Sequence, residues 1–347
     1  MKTEVLELDR NNIDEKIIKK AASLINEGEL VAFPTETVYG LGADGLNDKA
    51  CQKIFKAKHR PADNPLILHI SDLEMLEKLV DDIKETDKAL FKLWPGPLTL
   101  IFKKSKLIPD SVTAGGDTVA IRYPSDKIAN RLIATANTPI AAPSANISGR
   151  PSPTNAADVF FDMEGTIPMI LDGGESNIGI ESTVLDLSED VPVILRPGFY
   201  TFEFLKEIIT DVRLDDSLVD SSVRPKSPGQ KYKHYAPKAK MKVFVGQGAK
   251  DYIYNLANSY KEKSYRVGIL GFEDSKEIFK DFNFISFGDR NDLSTMSHVL
   301  FSALRQMDRM DVDIILAEGV KENHLGKSIM NRMKKSAAGD VNYIGDK

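Results

Sequence analysis

The apolar positions fall into two rhythms that divide the chain. Up to residue 210, short apolar and β-branched runs predict strands over 30–33, 65–70, 97–102, 119–123, 139–143, 169–171, 182–187 and 191–196. Helical spacing predicts amphipathic helices over 14–26, 48–58, 72–80, 86–93, 126–136 and 202–209, with Asp48 and Asp126 where N-caps are wanted. Several of these strands follow one another with no helix between them, so the sheet is expected to be mixed. From 212 to 240 the periodicity is lost, and Pro225 and Ser227-Pro228-Gly229 punctuate a long connection. A connection of that length is a linker or a functional loop.

Beyond it the rhythm turns regular: strand 241–245, helix 250–262, strand 266–270, helix 275–282, strand 284–287, helix 293–310, strand 312–316 and helix 326–337. Strict alternation of strand and helix predicts a small parallel sheet covered by helices. The fold class is therefore α/β: an α+β-like mixed-sheet domain over 1–210, a linker over 211–240, and a smaller Rossmann-like parallel domain over 241–347. With 347 residues, 42% hydrophobic and 28% charged, the chain is long enough for two cores of its own.

Charge narrows the chemistry. A net charge of -5 offers no global positive field for nucleic acid or an anionic membrane, so any basic site must be local. The single cysteine, Cys51, excludes an internal disulfide framework and a Cys-based zinc module, and suits a reducing compartment. Met1-Lys2-Thr3-Glu4 opens no apolar signal core, and no stretch is apolar enough to span a bilayer; a cytoplasmic protein without membrane contact is expected. The five histidines are scattered without metal-ligand spacing, so no metal site is expected from the protein.

Two distant motifs carry the local chemistry. Lys58-His59-Arg60-Pro61-Ala62-Asp63-Asn64-Pro65-Leu66 places two cations at the end of a predicted helix, before a turn held between prolines. Such cations complement a helix C-terminus; a stiff turn beside them also suits a grip on phosphate oxygens. Ala142-Pro143-Ser144-Ala145-Asn146-Ile147-Ser148-Gly149 ends an apolar run in small residues, with Ser144 and Asn146 on one side of an extended segment. Pro34-Thr35-Glu36-Thr37 turns sharply after a strand and exposes Thr35 and Thr37. His69 closes an apolar strand, where a histidine satisfied by core hydrogen bonds is the ordinary reading. Arg122 is a single cation in a strand otherwise apolar; it must meet a carboxylate, and the protein's own and a ligand's are equally open. Gly246-x-Gly248 lacks the third glycine of a dinucleotide fingerprint, and Gly326-Lys327-Ser328 lacks the spacing of a P-loop. Lys103-Lys104-Ser105-Lys106 reads as a solvated face.

Taken in order, Pro34-Thr35-Glu36-Thr37-Val38-Tyr39-Gly40-Leu41, Lys58-x-Arg60-Pro61, Asn64-Pro65-Leu66 and Trp94-Pro95-Gly96-Pro97-Leu98-Thr99 resemble the two-domain form of the YrdC-like family, the threonylcarbamoyl-AMP synthases. Ser144-x-Asn146-x-Ser148-Gly149, Ser182-Thr183-Val184, Arg196-Pro197-Gly198 and the linker Ser227-Pro228-Gly229-x-Lys231-Tyr232-x-His234-Tyr235-Ala236-Pro237 extend the resemblance. It implies a nucleotidyltransferase that makes L-threonylcarbamoyladenylate from L-threonine, bicarbonate and ATP, releasing pyrophosphate, for N6-threonylcarbamoyladenosine at tRNA position 37. It implies L-threonine contacts from Thr35, His69, Arg122, Ala142 and Ser182, and ATP contacts from Lys58, Arg60, Asn64, Thr118, Ser144, Asn146, Ser152, Arg196 and Tyr232. Lys58 and Arg60 would also serve catalysis, with Mg²⁺ held mainly by the ATP phosphates and the product passed to a tRNA threonylcarbamoyl transferase. Two departures stand out: His59 where the family often has a small residue, and Gln230 where it often has Met. Two other classes use the same residues: a double-stranded RNA-binding protein, for which weak RNA binding through the local cations stays open, and a nucleotide- and threonine-sensing regulator without turnover. The linker over 211–240 is a candidate active-site lid.

Overall fold

The computed structural model describes residues 1–218 and 234–345; the Ser227-Pro228-Gly229 stretch, Gln230 and Tyr232 lie outside the described residues. The chain forms two compact units. One holds Met1–Ser148, Ser152–Asn177 and the described residues from 181 to 218; the other holds Gly149–Pro151, Ile178–Ile180 and the described residues from 234 onward.

The first unit is built on strands β1 (Glu4–Glu7), β2 (Val31–Phe33), β3 (Gly40–Asp44), β4 (Ile67–His69), β5 (Leu98–Lys103), β6 (Thr118–Arg122), β7 (Ile140–Ala141), β8 (Met169–Asp172), β9 (Thr183–Asp186), β10 (Val193–Arg196) and β11 (Arg213–Leu214). Its helices are α1 (Glu15–Asn26), α2 (Asp48–Lys58), α3 (Leu73–Leu79), α4 (Asp110–Thr113), α5 (Lys127–Ala136), α6 (Ala156–Met163) and α7 (Phe202–Lys206). The strands form one sheet in the order β1-β8-β2-β3-β7-β4-β6-β5-β9-β10-β11. The sheet is mixed, as the uneven strand spacing predicts: β4 runs parallel to β6, while β5 runs antiparallel to β6. Burial on both faces explains the near-continuous apolar runs, since Leu68, Leu100, Ile121, Ile170 and Leu185 are all fully enclosed.

The second unit carries β12 (Lys240–Val245), β13 (Val267–Gly271), β14 (Asn283–Ser286), β15 (Ile314–Glu318) and β16 (Val341–Tyr343), with helices α8 (Ala249–Glu262), α9 (Leu293–Arg309) and α10 (His324–Ser336). All its strand pairs are parallel, in the order β14-β13-β15-β12-β16. This is the Rossmann-like sheet that the regular alternation predicts. No helix among the described residues is long and apolar enough to cross a membrane.

The helices start where the chain supplies a cap. Asp14 accepts the Lys16 amide, and the buried Ile18, Ala21, Ala22 and Ile25 repeat every three to four residues along one face of α1. Asp126 caps α5 as expected, but Asp48 does not cap α2: Asn47 does, accepting the Lys49 and Ala50 amides, and Asp48 is the first helical residue. Residues 86–93 wind as a 3₁₀ helix, Glu85–Leu93. The helix expected over 275–282 is absent beyond a 3₁₀ turn at Glu273–Ser275. There Phe279 is buried and stacks on Phe284, while Lys261 lies over the Phe282 ring, so side-chain packing holds the segment in place of a helical ladder.

Helix α2 ends at His59, which takes the left-handed conformation with φ 51°. That residue lets the His59 amide bond the Lys56 carbonyl (3.2 Å) and the Arg60 amide bond the Phe55 carbonyl (2.9 Å), closing the helix and turning the chain into Pro61. A side chain at this φ costs energy that glycine avoids, which is a physical reason for a small residue here. His59→Gly should therefore raise unfolding stability by about 0.5–1 kcal/mol. Urea unfolding of the two proteins measures it, with an unchanged slope expected.

Candidate active site

Four adjacent strands of the first unit place the central residues. His69 on β4 and Thr99 on β5 are both register partners of Arg122 on β6, so the three side chains share one face of the sheet in a single row. On the next strand over, Leu98 pairs with Thr183, which brings Ser182 beside the row: the Thr99 and Ser182 hydroxyls lie 2.7 Å apart. Arg196 then holds Ser182 twice, its Nε donating to the Ser182 carbonyl (3.0 Å) and its Nη2 to the Ser182 hydroxyl (3.1 Å). Gly198 allows this: a Cβ there would sit 2.3 Å from the Thr183 amide nitrogen.

Arg122 is buried, and its question is answered first by the protein. Nη2 lies 2.8 Å from Oε1 of Glu36, and both side chains are almost entirely enclosed. The contact is an ion pair without hydrogen-bond alignment, because Nε and Nη2 of Arg122 and both Glu36 oxygens find no aligned partner. Buried donors left unspent in this way mark a place where another group binds. Arg122 thus meets a protein carboxylate and still has N–H groups to give a second one. Glu36 also raises the Tyr200 hydroxyl pKa, after burial, which is the larger cause.

His69 is a neutral imidazole here. Burial, then the neighbouring Arg122 charge, lower its pKa to about 3. Its Nδ1 lies 3.3 Å from the Ile67 carbonyl, and the Phe33 ring meets it edge-on with centroids 6.2 Å apart.

The two sequence motifs meet through Lys58. Its buried ammonium donates to the Ser144 carbonyl and to the Asn146 carbonyl (2.6 Å), and its own carbonyl accepts the Ser148 amide (2.9 Å). The Ser144 hydroxyl donates to Asn146 Oδ1 (2.6 Å), and Asn146 Nδ2 donates to the Ile147 carbonyl (2.8 Å). The segment carrying Thr35 joins the same assembly: Gly40 bridges Ser144, Leu41 bonds the Pro143 carbonyl (2.8 Å) and Ala145 bonds the Tyr39 carbonyl (2.8 Å). Ala142 sits against this point, its amide on the Ile67 carbonyl (2.9 Å) and its methyl facing the bare backbone of Gly40.

Other expected residues hold structure around the site. Arg60 Nη2 reaches the Asn64 and Pro65 carbonyls (both 3.1 Å), bracing the proline-bounded turn on which buried Asn64 sits. The Thr35 hydroxyl donates to the Val38 carbonyl (2.7 Å) and lies 2.9 Å from the Thr37 hydroxyl, so it closes its own turn. Buried Ser152 donates to Glu181 Oε1 (2.7 Å). Thr118 opens β6, four residues before Arg122, so it stands well away from the row along its strand. Tyr232 is outside the described residues. Sequence reasoning missed Glu36 and Glu181 as partners and gave Thr99 no role. The signal for Glu36 was its place between two threonines directly after a strand, in a chain where Arg122, set in an apolar strand, needed a carboxylate.

Two outcomes follow from the buried charges. Glu36→Ala removes the buried acidic partner of Arg122, and should lower unfolding stability by about 3–5 kcal/mol; Glu36→Gln should cost less, and chemical unfolding ranks the pair. His69 has a folded pKa of about 3 against 6.5 for the exposed group, so the unfolded state binds the extra proton between those values. Stability should then fall as pH drops below 6.5. His69→Asn abolishes this term, and its stability deficit against wild type should shrink by about 2 kcal/mol between pH 7 and pH 5.

Comparison with known proteins agrees with this architecture. A Sua5/YciO/YrdC family model described as "Telomere recombination" matches residues 23–198, and the model "Threonylcarbamoyl-AMP synthase, C-terminal domain" matches residues 200–338. The threonylcarbamoyl-AMP synthase of Pyrococcus abyssi is 48% identical over 94% of this chain and 96% of the relative. That of Bacillus subtilis is 45% identical over 96% of each. The crystal structure of P. abyssi Sua5 complexed with L-threonine superposes with a TM-score of 0.93 at 45% identity, covering 98% of this chain and 99% of that one. The chain therefore belongs to the Sua5/YciO/YrdC family, in the two-domain form of the threonylcarbamoyl-AMP synthases.

Proposed function

We propose that this chain is an L-threonylcarbamoyladenylate synthase, a nucleotidyltransferase that joins L-threonine, bicarbonate and ATP and releases pyrophosphate. The observation that carries the reading is Arg122: a buried guanidinium with unspent N–H groups, in one row with His69, Thr99 and Ser182. Its planar fork suits the carboxylate of an amino acid. The relatives of similar length bear the name of this activity, and one solved relative holds L-threonine.

In this reading threonine lies along the row, its carboxylate on Arg122 and its polar groups toward neutral His69 and Ser182, with Thr35 and the Ala142 main chain closing the other side. The nucleotide lies against the Lys58 and Arg60 motif and the Ser144 and Asn146 segment, with Asn64, Thr118, Ser152, Arg196 and Tyr232 as its further contacts. The threonine amine attacks bicarbonate with loss of water to give a carbamate. A carbamate oxygen then displaces pyrophosphate from the α-phosphorus.

The chain's own work is to hold two mutually repelling anions in line and to neutralise phosphate charge. Among the described residues, no group of three His, Cys, Asp or Glu side chains could hold a metal ion. A Mg²⁺ would arrive on the nucleotide phosphates, where it would offset charge on the leaving pyrophosphate. The product, an activated carbamoyl adenylate, would pass to a transferase acting on position 37 of tRNA in the cytoplasm.

Pyrophosphate release should require threonine and bicarbonate together and yield the mass of threonylcarbamoyl-AMP; no release under any combination overturns the reading. Removing Mg²⁺ with a chelator should stop release while calorimetric threonine binding persists. Lys58→Ala should lower turnover about tenfold to a hundredfold, the equivalent of a charge-assisted contact worth about 1.5–3 kcal/mol. Wild-type kinetics in that variant would remove Lys58 from the site.

A further inference from the structure

The second unit contains a cavity that none of the chemistry above uses. It measures about 610 Å³ and lies at the carboxyl ends of the adjacent parallel strands β12 and β15. From β12 the chain crosses β15 to reach β13; from β15 it crosses β12 to reach β16. The two connections leave in opposite directions, and the crevice that such a reversal opens at the carboxyl edge is where parallel sheets receive ligands.

The lining is set for an anion. Lys250, Arg290 and Lys321 face two carboxylates, Asp274 and Glu318, in a chain whose net charge is -5. Arg290 engages both acids, donating to Glu318 Oε2 (2.5 Å) and to the two Asp274 oxygens (3.1 Å each), and lies flat on the Phe272 ring at 4.4 Å. Glu318 is buried and also accepts the Ser275 hydroxyl (2.5 Å), so one guanidinium is shared by two carboxylates and the trio carries one net negative charge. Lys250 stands 3.5 Å from Asp274, and Lys321 has no acidic partner within 4 Å among the described residues. Together with Arg290 these two lysines leave the lining one positive charge in excess of its two carboxylates.

Backbone geometry adds donors on both sides. Gly248 and Asn323, the N-caps of α8 and α10, make no side-chain capping bond, whereas α1, α2, α5 and α9 are all capped by side chains. The first turns of two long helices therefore begin without a side-chain acceptor, beside Lys250 and Lys321, although the Ala249 amide is taken by the Gly246 carbonyl (3.1 Å). Gly246 is at φ 117° with the Ile344 carbonyl oxygen 2.1 Å from where a Cβ would stand, so the turn after β12 presents bare backbone. The Gly246-x-Gly248 motif, too short for a dinucleotide fingerprint, thus lies at a cavity edge. Val245, Leu293 and Val320 add apolar wall, and the volume exceeds what a lone phosphate needs.

We propose that this crevice is a second ligand site, for a phosphate-bearing small molecule of nucleotide size, with the phosphate held by Lys250, Lys321 and the first turns of α8 and α10. The site is independent of the threonine and ATP reading. The test is hydrogen–deuterium exchange on the full chain with inorganic phosphate, pyrophosphate, AMP or ADP at millimolar concentration. Peptides spanning 245–252 and 318–326 should become protected, by pyrophosphate if the phosphate alone is read, and by AMP and ADP more strongly if the nucleoside is read too. Lys250→Glu combined with Lys321→Glu, both at the surface, should weaken that protection at least tenfold, while Lys58→Ala with Arg60→Ala should leave it in place. Protection absent with every probe, retained in the Lys250/Lys321 variant, or lost in the Lys58/Arg60 variant overturns the proposal.

Discussion

The first unit is organised around one buried charge. Arg122 closes the apolar strand β6, buried between β4 and β5, where an unpaired guanidinium is costly. Glu36 answers that cost, and in doing so ties the turn after β2 to the centre of the sheet. The consequences spread outward from the pair. The turn that carries Glu36 is closed by the Thr35 hydroxyl, and the strand that follows it bridges Ser144. His69, next to the same charge and sealed from water, has no option but neutrality. A weakly aligned ion pair is the arrangement expected of a guanidinium that must stay put without a ligand and yet keep donors for one.

Much of this was legible in the sequence, and the reasons differ by residue. Lys58 and the Ser144 and Asn146 segment, which were expected to share a ligand, lie in contact, because a buried ammonium needs acceptors and the carbonyls of that segment supply them. Arg122 was recognisable as a charge in need of a partner, since only four apolar neighbours surround it in the strand. What could not be read was which carboxylate answers it: Glu36 is distant in sequence, and pairing across a mixed sheet has no short-range signature. Asn64 and Ser152 were singled out by resemblance; their burial and their partners follow from turns whose closure depends on Arg60 and Glu181.

Two departures from the pattern have different physical causes. Strand β3 is Gly40–Asp44, small and half glycine at its start, so it carries neither the β-branched nor the alternating signal that marks a strand. Gly42 is required there because a Cβ would stand 2.7 Å from the Phe33 ring and 2.8 Å from Ile140. The helix expected over 275–282 had the right period, but its aromatic residues are used for packing against Phe284 and beneath Lys261, and tertiary contact overrode local preference. The regular half of the chain was the easier to read because parallel strands buried on both faces advertise themselves as apolar runs.

The site's composition also constrains how it can work. Its charged groups are cations and their structural partners: Lys58 faces backbone carbonyls, Arg60 braces a turn, Arg196 holds Ser182 and Arg122 is balanced by Glu36. His69, on the row with Arg122, is held uncharged. A site of this kind offers fixed dipoles and positive charge in a dry setting, where they act with little screening and need no reorganisation. That balance suits a displacement at phosphorus between two bound anions, in which alignment and charge neutralisation carry the barrier, far better than a reaction that turns on general acid or base catalysis.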